Sequence, residues 1–313
     1  MIVTVCMAVY NGEKYIGKQL QTIYEQTRPA DDVVLCDDCS TDATPAIIER
    51  FIEEHHLAES WKLYKNQENK GYPQNFYYVM SLCKGEVVFL ADQDDLWEKD
   101  KLETMLDKLE KNPHIELLAS AWGIIDEKDR ILMGHVNRGR TTDDSCSPVT
   151  IEEILYCNQW PGMCTCYRRS LGETVLRKVK QKKIPHDIAL GMVAAERQSF
   201  YSISQVKQYH RRHEANTAME EHRVRKRLNK KRKLTEIRNY LEWLEQLQES
   251  DCLEQEINKE TIRRKIEIMK NRLDNLEQGR RLQMIKQYLA NRKEIRPATV
   301  VCDVVIAKSD RNG

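Results

Sequence analysis

Long apolar runs are missing from this chain of 313 residues: none approaches the roughly 18 residues that a bilayer-spanning helix needs, so a membrane-spanning protein is not expected. Internal repeats and low-complexity segments are also lacking, which sets aside repeat arrays and biased tails. With the sequence opening on Met1-Ile2-Val3 we expect no secretory leader, and the ten cysteines are scattered, several of them inside strand-like apolar runs. That pattern leads us to expect a reducing, cytoplasmic setting rather than a disulfide framework. Cys36-Asp37-Asp38-Cys39 has the spacing of a redox pair and Cys164-Thr165-Cys166 comes close, but no second pair or histidine cluster completes a zinc site. The length is sufficient for one large or two modest domains with a true core.

What is present divides in two. The first half alternates short apolar runs with amphipathic segments: Ile2–Ala8, a helical pattern from Glu13 to about Gln26, Val33–Cys36, a helix over Thr44–Glu54, a strand near Trp61–Lys65, a helix from Pro73 to Cys83, and the strand Val87–Ala91. This βαβ rhythm predicts an α/β fold whose ligands bind at the carboxyl ends of parallel strands. Tyr10-Asn11-Gly12, Asp37-Asp38-Cys39-Ser40, Asn66 to Gly71 and Asp92–Asp95 each follow a strand, so all four should converge on one rim. A helix at about 98–111 and a strand near Glu116–Ala121 come next, and residues to about 148 are less readable.

The acidic run Asp92-Gln93-Asp94-Asp95 directly follows the strand Val87–Ala91. Three carboxylates within four residues repel one another, so a folded chain holds them at a strand end when a cation or a ring of donors neutralises them. Mg²⁺ or Mn²⁺, with oxygen ligands and positions left for substrate phosphates, suits that need. The plainer alternative is a solvated turn with Asp95 capping a helix that begins near Trp97.

Six ordered motifs resemble the family 2 glycosyltransferases of the GT-A fold, especially the rhamnosyltransferase-like enzymes of bacterial surface polysaccharide synthesis. They are Ala8-Val9-Tyr10-Asn11-Gly12, Asp37–Asp42, Asn69-Lys70-Gly71 with Asn75, Asp92–Trp97, His186-Asp187, and His210-Arg211-Arg212-His213-Glu214-Ala215-Asn216. The resemblance covers residues 1–218 and implies a Rossmann-like mixed sheet flanked by helices, binding a nucleoside-diphosphate sugar donor. By resemblance Ala8, Val9, Tyr10 and Asn11 line the nucleobase and ribose pocket. Asp38, with Asp37 as its neighbour, suits acceptance of an imide N–H from a uracil or thymine ring, and the stretch Asp37–Asp42 equally suits capping of the next helix. Asn69, Gly71 and Asn75 open a helix where phosphate oxygens can approach, although a lone Asn-x-Gly is a common turn.

The resemblance further places Asp94 as the metal-binding carboxylate, Asp92 near the ribose or the ion, and His213 near the metal or diphosphate, while Asp95 is less defined. Asp187 matches the base that deprotonates the acceptor hydroxyl, implying inversion at the anomeric carbon. A lone carboxylate is a weak base, so its site should be partly desolvated; the alternative is that Asp187 caps the helix Ile188–Glu196. Many relatives carry Glu-Asp where this chain has His186-Asp187. Trp160 and Gly162 resemble the acceptor-side segment, and His186 is grouped with them; Trp160 can equally be core.

From about residue 220 the chain is strongly charged: residues 220–296 hold 21 Lys/Arg against 14 Asp/Glu, leaving a deficit of positive charge in the remainder. Apolar residues at Leu234, Ile237, Leu241, Leu244 and at Ile262, Ile266, Met269, Leu273, Leu276 keep three-four spacing. They predict a helical hairpin turning at Ser250-Asp251-Cys252, closed by Arg296-Pro297 and followed by a short strand, Thr299–Ala307, so that residues 219–313 form a second domain. The basic run 223–233 is expected to touch an anionic membrane at its inner face or to be a solvated helical face; nucleic acid is disfavoured because no aromatics interleave with it. Whether the hairpin pairs two copies as a homodimer stays open. Alternatives to a transferase acting on a saccharide or lipid-linked acceptor are a sugar nucleotidyltransferase, whose Gly-rich phosphate loop Tyr10–Lys14 lacks, and a non-enzymatic basic helical module.

Overall fold

The computed structural model describes residues 1–134, 145–157, 159–179, 184–213 and 229–309. Glu214, Ala215 and Asn216, and the basic residues 223–228, lie outside the described residues. The described chain divides into two compact units, Met1–Thr150 with Gln159–Arg212, and Ile151–Asn158 with His213–Gly313.

The first unit is built on a mixed sheet in the order β3-β2-β1-β4-β9-β6-β10-β5. Strands β1 (Val3–Val9), β2 (Asp32–Asp37), β3 (Trp61–Lys65) and β4 (Val87–Ala91) are parallel. Apart from the edge strand β3, their near-continuous apolar sequences are buried on both faces, as the sequence predicts for a parallel sheet covered by helices. Helices α1 (Ile16–Tyr24), α2 (Thr44–Glu54) and α3 (Gln74–Leu82) connect them. Helix α1 turns Ile16, Leu20 and Ile23 inward at three-four spacing. The chain passes from β1 to β2 on one side and returns to β4 on the other, so β1 stands at a topological switch point, the place where open α/β sheets bind ligands at the carboxyl ends of their strands.

Trp97, expected to begin a helix, lies instead in the two-residue strand β5 (Leu96–Trp97) and pairs with Gln208; helix α4 (Lys101–Lys111) begins four residues later. The remaining elements are β6 (Leu117–Ile125), β7 (Ile131–Met133), β8 (Ser147–Pro148), a 3₁₀ turn at Gly162–Cys164, β9 (Thr165–Arg168), α6 (Arg169–Lys178), α7 (His186–Glu196) and β10 (Phe200–Arg211). Strand β10 runs parallel to β6 with two register shifts, and β9 fits antiparallel between β4 and β6.

In the second unit, α5 (Ile151–Tyr156) accompanies α8 (Lys230–Glu249), α9 (Glu256–Glu277), α10 (Arg281–Ala290) and α11 (Pro297–Ser309). The hairpin of α8 and α9 turns where the sequence placed it, and buries Ile237, Leu241 and Leu244 with Ile262, Ile266, Met269 and Leu276. The rest corrects the sequence reading. Helix α9 ends at Glu277, with Gly279 at φ +64°, the N–H of Arg280 donating to Asn275 O and that of Gly279 to Leu276 O, a Schellman termination that only a residue at ease in left-handed backbone completes cheaply. Pro297 therefore opens a helix rather than closing one, since its missing N–H is harmless at the first position. The expected strand Thr299–Ala307 is helix α11, which buries Asp303 against Arg272 and turns Ile306 inward. An apolar run of that length reads as strand or helix with equal ease.

Candidate active site

The loops after β1 and β2 are laced together by side chains. Asn11 takes a left-handed backbone (φ 47°); its N–H donates to Ser40 Oγ at 2.9 Å and its Oδ1 accepts from Thr41 N at 2.8 Å. Gly12 N–H donates to Thr44 Oγ1, and Asp42 Oδ1 accepts from both the N–H and the hydroxyl of Thr44. The capping role foreseen for Asp37–Asp42 is thus present through Asp42. Gln93 bridges the first loop to the acidic one: Tyr10 N–H donates to its Oε1 and its Nε2 donates to Tyr10 O, both at 2.9 Å. A Cβ on Gly12 would stand 2.5 Å from Gln93 Oε1, so glycine is what lets that bridge close. Of the pocket residues expected from β1, Ala8 and Val9 end the strand, Val9 O accepting from Asp38 N, and Tyr10 leaves its ring exposed.

Asp38 is engaged by the loop after β3. Its Oδ1 accepts from Lys70 N (2.8 Å) and Asn66 Nδ2 (2.7 Å), and its Oδ2 from Gly71 N (2.8 Å). The carboxylate holds the loop after β3, in which Asn69 Nδ2 also donates to Asp38 O and Gly71 sits at φ +68°. Asn75 is buried and donates to Cys36 O while accepting from Asn66 Nδ2, so it too fixes the loop rather than meeting phosphate. Asp37, the presumed neighbour, keeps a buried Oδ1 with no hydrogen-bond partner.

At the end of β4 the half-buried Asp92 and the fully buried Asp95 meet His210 of β10, the three offering ligand atoms within 4.8 Å of one another. His210 Nδ1 lies 3.0 Å from Asp95 Oδ1, which also accepts from Arg211 N, while Asp95 Oδ2 is buried without a hydrogen-bond partner. Burial first, then the charges of Asp95 and Asp94, push the Asp92 carboxyl well above the ordinary range. Burial pulls the His210 imidazole down, but the charge and hydrogen bond of Asp95 prevail and raise it to about 9. Two carboxylates, one of them with an orphaned buried oxygen, and an imidazole are a donor set suited to a hard divalent cation. Of the metal set expected from sequence, only Asp92 falls in this cluster. The tight turn after β4 carries Asp95 inward, and Asp94 contributes its backbone carbonyl to Arg211 Nε. β10 extends far enough to supply His210 itself, three residues before His213, which belongs to the second unit.

A family model described as Glycosyl transferase family 2 matches residues 4–169. The chain belongs to that family. Glycosyltransferase GlyA of Streptococcus pneumoniae serotype 4 is 36% identical over 157 residues, half of this chain but 22% of that protein. The chain spans less than half the length of other curated relatives as well. Two solved structures share the fold: S. aureus TarS 1-349 in complex with UDP-GlcNAc (TM-score 0.63, 19% identity, covering all of this chain and 92% of that one), and the mannosyltransferase PcManGT from Pyrobaculum calidifontis in complex with GDP-Man and Mn²⁺ (0.56, 16%, covering 99% and 86%).

In this family 2 glycosyltransferase, Asp187 lies in the first turn of α7, one helical step inside the expected boundary, and its Oδ1 accepts from Ile188 N. Its charge reaches Asp92. His186, grouped with the acceptor contacts, is instead 3% exposed, stacked on Phe76 at 4.0 Å with Tyr72 at its edge. Burial lowers its imidazole to about 4. Gly162 makes room for it, because a Cβ there would stand 2.5 Å from His186 Nε2. Trp160 is core, 3% exposed and edge-on to Phe200, so it is no platform for a sugar ring.

Two buried cations lie beside the transferase's acidic loop; Arg211 falls in the last of the six motifs, whereas Lys101 escaped the sequence reading. Arg211 donates from Nε to Asp94 O (2.8 Å) and from Nη1 to Asp126 O and the Asp129 carboxylate, with its guanidinium 4.7 Å from the Tyr15 ring centre. It ties the acidic loop to the β6–β7 turn. Lys101, fully buried at the start of α4, donates to Met163 O (2.8 Å) and Gln208 Oε1 and lies 3.7 Å over the Trp97 ring. Burial lowers it to about 7 against the pull of nearby acids. A charged residue opening an amphipathic helix normally points to water, and no local pattern marks this one as an exception.

Proposed function

We propose that the protein is an inverting, metal-dependent glycosyltransferase that moves a sugar from a nucleoside-diphosphate sugar to a hydroxyl of a saccharide or lipid-linked acceptor in cell-surface polysaccharide synthesis. The observation that carries this reading is the cluster of Asp92, Asp95 and His210 at the end of β4, with the charge of Asp187 felt at Asp92. A divalent ion held by those three side chains would act as Lewis acid toward the departing diphosphate. Asp187 takes the acceptor hydroxyl's proton as that oxygen bonds to the anomeric carbon and the bond from this carbon to the diphosphate oxygen breaks, which inverts the configuration. Its Oδ1 is fixed by the helix, which leaves Oδ2 to receive the proton. Asp37 Oδ1, rather than the engaged Asp38, accepts the imide N–H of the base. The nucleotide-sugar and Mn²⁺ complexes of the two structural neighbours support a donor of this type.

Calorimetric titration of UDP, dTDP, GDP and ADP, with and without Mn²⁺, tests the reading. Tight binding of one diphosphate only in the presence of metal is expected and identifies the donor class. Absence of binding to all four under both conditions would overturn it.

A further inference from the structure

Helix α10 wears its apolar stripe on the outside. Leu282, Ile285 and Leu289 recur at three- and four-residue spacing and so share one face, yet they are 72%, 41% and 64% exposed, while Met284 is the residue the helix buries. Spacing of this kind ordinarily marks the face turned to the core. Helix α11 repeats the inversion with Val301 and Val305, 64% and 45% exposed one turn apart, while Asp303 and Ile306 point inward.

The charge around the stripe is of one sign. Residues 280–296 hold six Lys/Arg and one Asp/Glu. Arg280 pairs with Asp274, Arg281 reaches Ala307 O, Arg296 lies 5.7 Å from the Tyr156 ring, and the single acid, Glu294, is taken by Arg264. Lys286, Arg292 and Lys293 are exposed, and among the described residues no carboxylate pairs with them. Lys286 stands one turn from Leu282 and so borders the stripe.

We propose that this face of α10 docks the protein onto an anionic lipid surface. Two features decide between a bilayer and a second copy of the chain. A stable dimer buries about 800 Å² per partner, more than three leucine-sized side chains present. A two-fold contact would also gather Lys286 and Lys293 of both copies at one seam, where Glu294, the single acid of residues 280–296, is already taken by Arg264. An anionic bilayer meets both halves of the pattern, since the acyl boundary receives Leu282, Ile285 and Leu289 and the headgroups receive the lysines. This surface shares no residue with the acidic cluster, and the proposal does not depend on the reaction the cluster performs.

The test is co-sedimentation of the full chain with phosphatidylcholine vesicles, with and without phosphatidylglycerol, at low and high salt. We expect binding to the anionic vesicles only, weakened by salt, and lowered about tenfold in Leu282→Asp/Leu289→Asp and in Lys286→Glu/Lys293→Glu. All four positions are solvent-facing, so the melting temperature should hold in both variants. Failure of the unmodified protein to sediment, or equal binding to neutral vesicles, overturns the proposal. So does undiminished binding in either variant, which places the lipid contact elsewhere. Analytical ultracentrifugation showing a dimer that Leu282→Asp/Leu289→Asp dissolves would assign the stripe to a second copy instead.

Discussion

Asp37 and Asp38 are neighbours in sequence with opposite employment. Asp38 accepts from two backbone N–H groups and one amide, a load an asparagine cannot carry on both atoms, so Asp38→Asn should destabilise the protein by about 2 kcal/mol in chemical denaturation. Asp37→Asn should leave stability nearly unchanged and weaken the donor diphosphate about tenfold in calorimetry; the reverse pattern would return the base contact to Asp38. The sequence offered the pair but not the division of labour, because Asp38's partners, Asn66, Lys70 and Gly71, lie about thirty positions away across a strand that must first pair. Asp187→Asn should keep donor affinity and lower transfer about 10²- to 10⁴-fold. Loss of donor affinity instead would make Asp187 a structural cap. Lys101 supplies a pH signature. Its folded pKa lies below the unfolded one, so its contribution is complete above about 10.5 and is lost as pH falls toward 7. The stability of the unmodified protein minus that of Lys101→Met, measured by denaturant titration between pH 7 and 9, should therefore rise by about 1 kcal/mol per pH unit; a flat difference would show that Lys101 stays charged.

Among the elements, those with a buried parallel strand behind them were legible: the runs Val33–Cys36 and Val87–Ala91 have one reading each, and the rim after them followed. Elements whose identity depends on a distant partner were not. β5 is two residues long and exists because Gln208 and Tyr209 lie opposite it. Residues 299–307 are helical, and the helix packs with Asp303 buried against Arg272 from α9. The placement of α7 rests on a contact that no local pattern announces, that of Gly162 with His186. Gly162→Ala would drive a methyl into a ring pinned against Phe76, shifting the first turn of α7 and Asp187 with it. The expected result is transfer slowed tenfold or more, donor affinity unchanged, and stability reduced by about 1–3 kcal/mol in thermal melting. Transfer at the normal rate would show that the ring can yield.

On the scale of the whole molecule, the sequence marked the charged region after residue 220 as a separate unit, and could not show that residues 151–158 belong to it. That segment looks like any amphipathic turn until Tyr240 is seen donating its hydroxyl to Leu155 O. A chain ending at Arg212 should therefore leave Ile151, Ile154 and Leu155 without their helical partners and be largely insoluble, read from the soluble fraction and dye binding to exposed apolar surface. A soluble fragment with the melting temperature of the whole chain would show that α5 needs no such cover.

The same discontinuity bears on how the protein is made. A ribosome adding about 5–20 residues per second needs roughly 4–15 s to pass from residue 157 to residue 229. For the later part of that interval α5 is outside the exit tunnel while the helices that cover it do not yet exist, so a nascent copy carries a sticky, unfinished seam that a holdase can recognise.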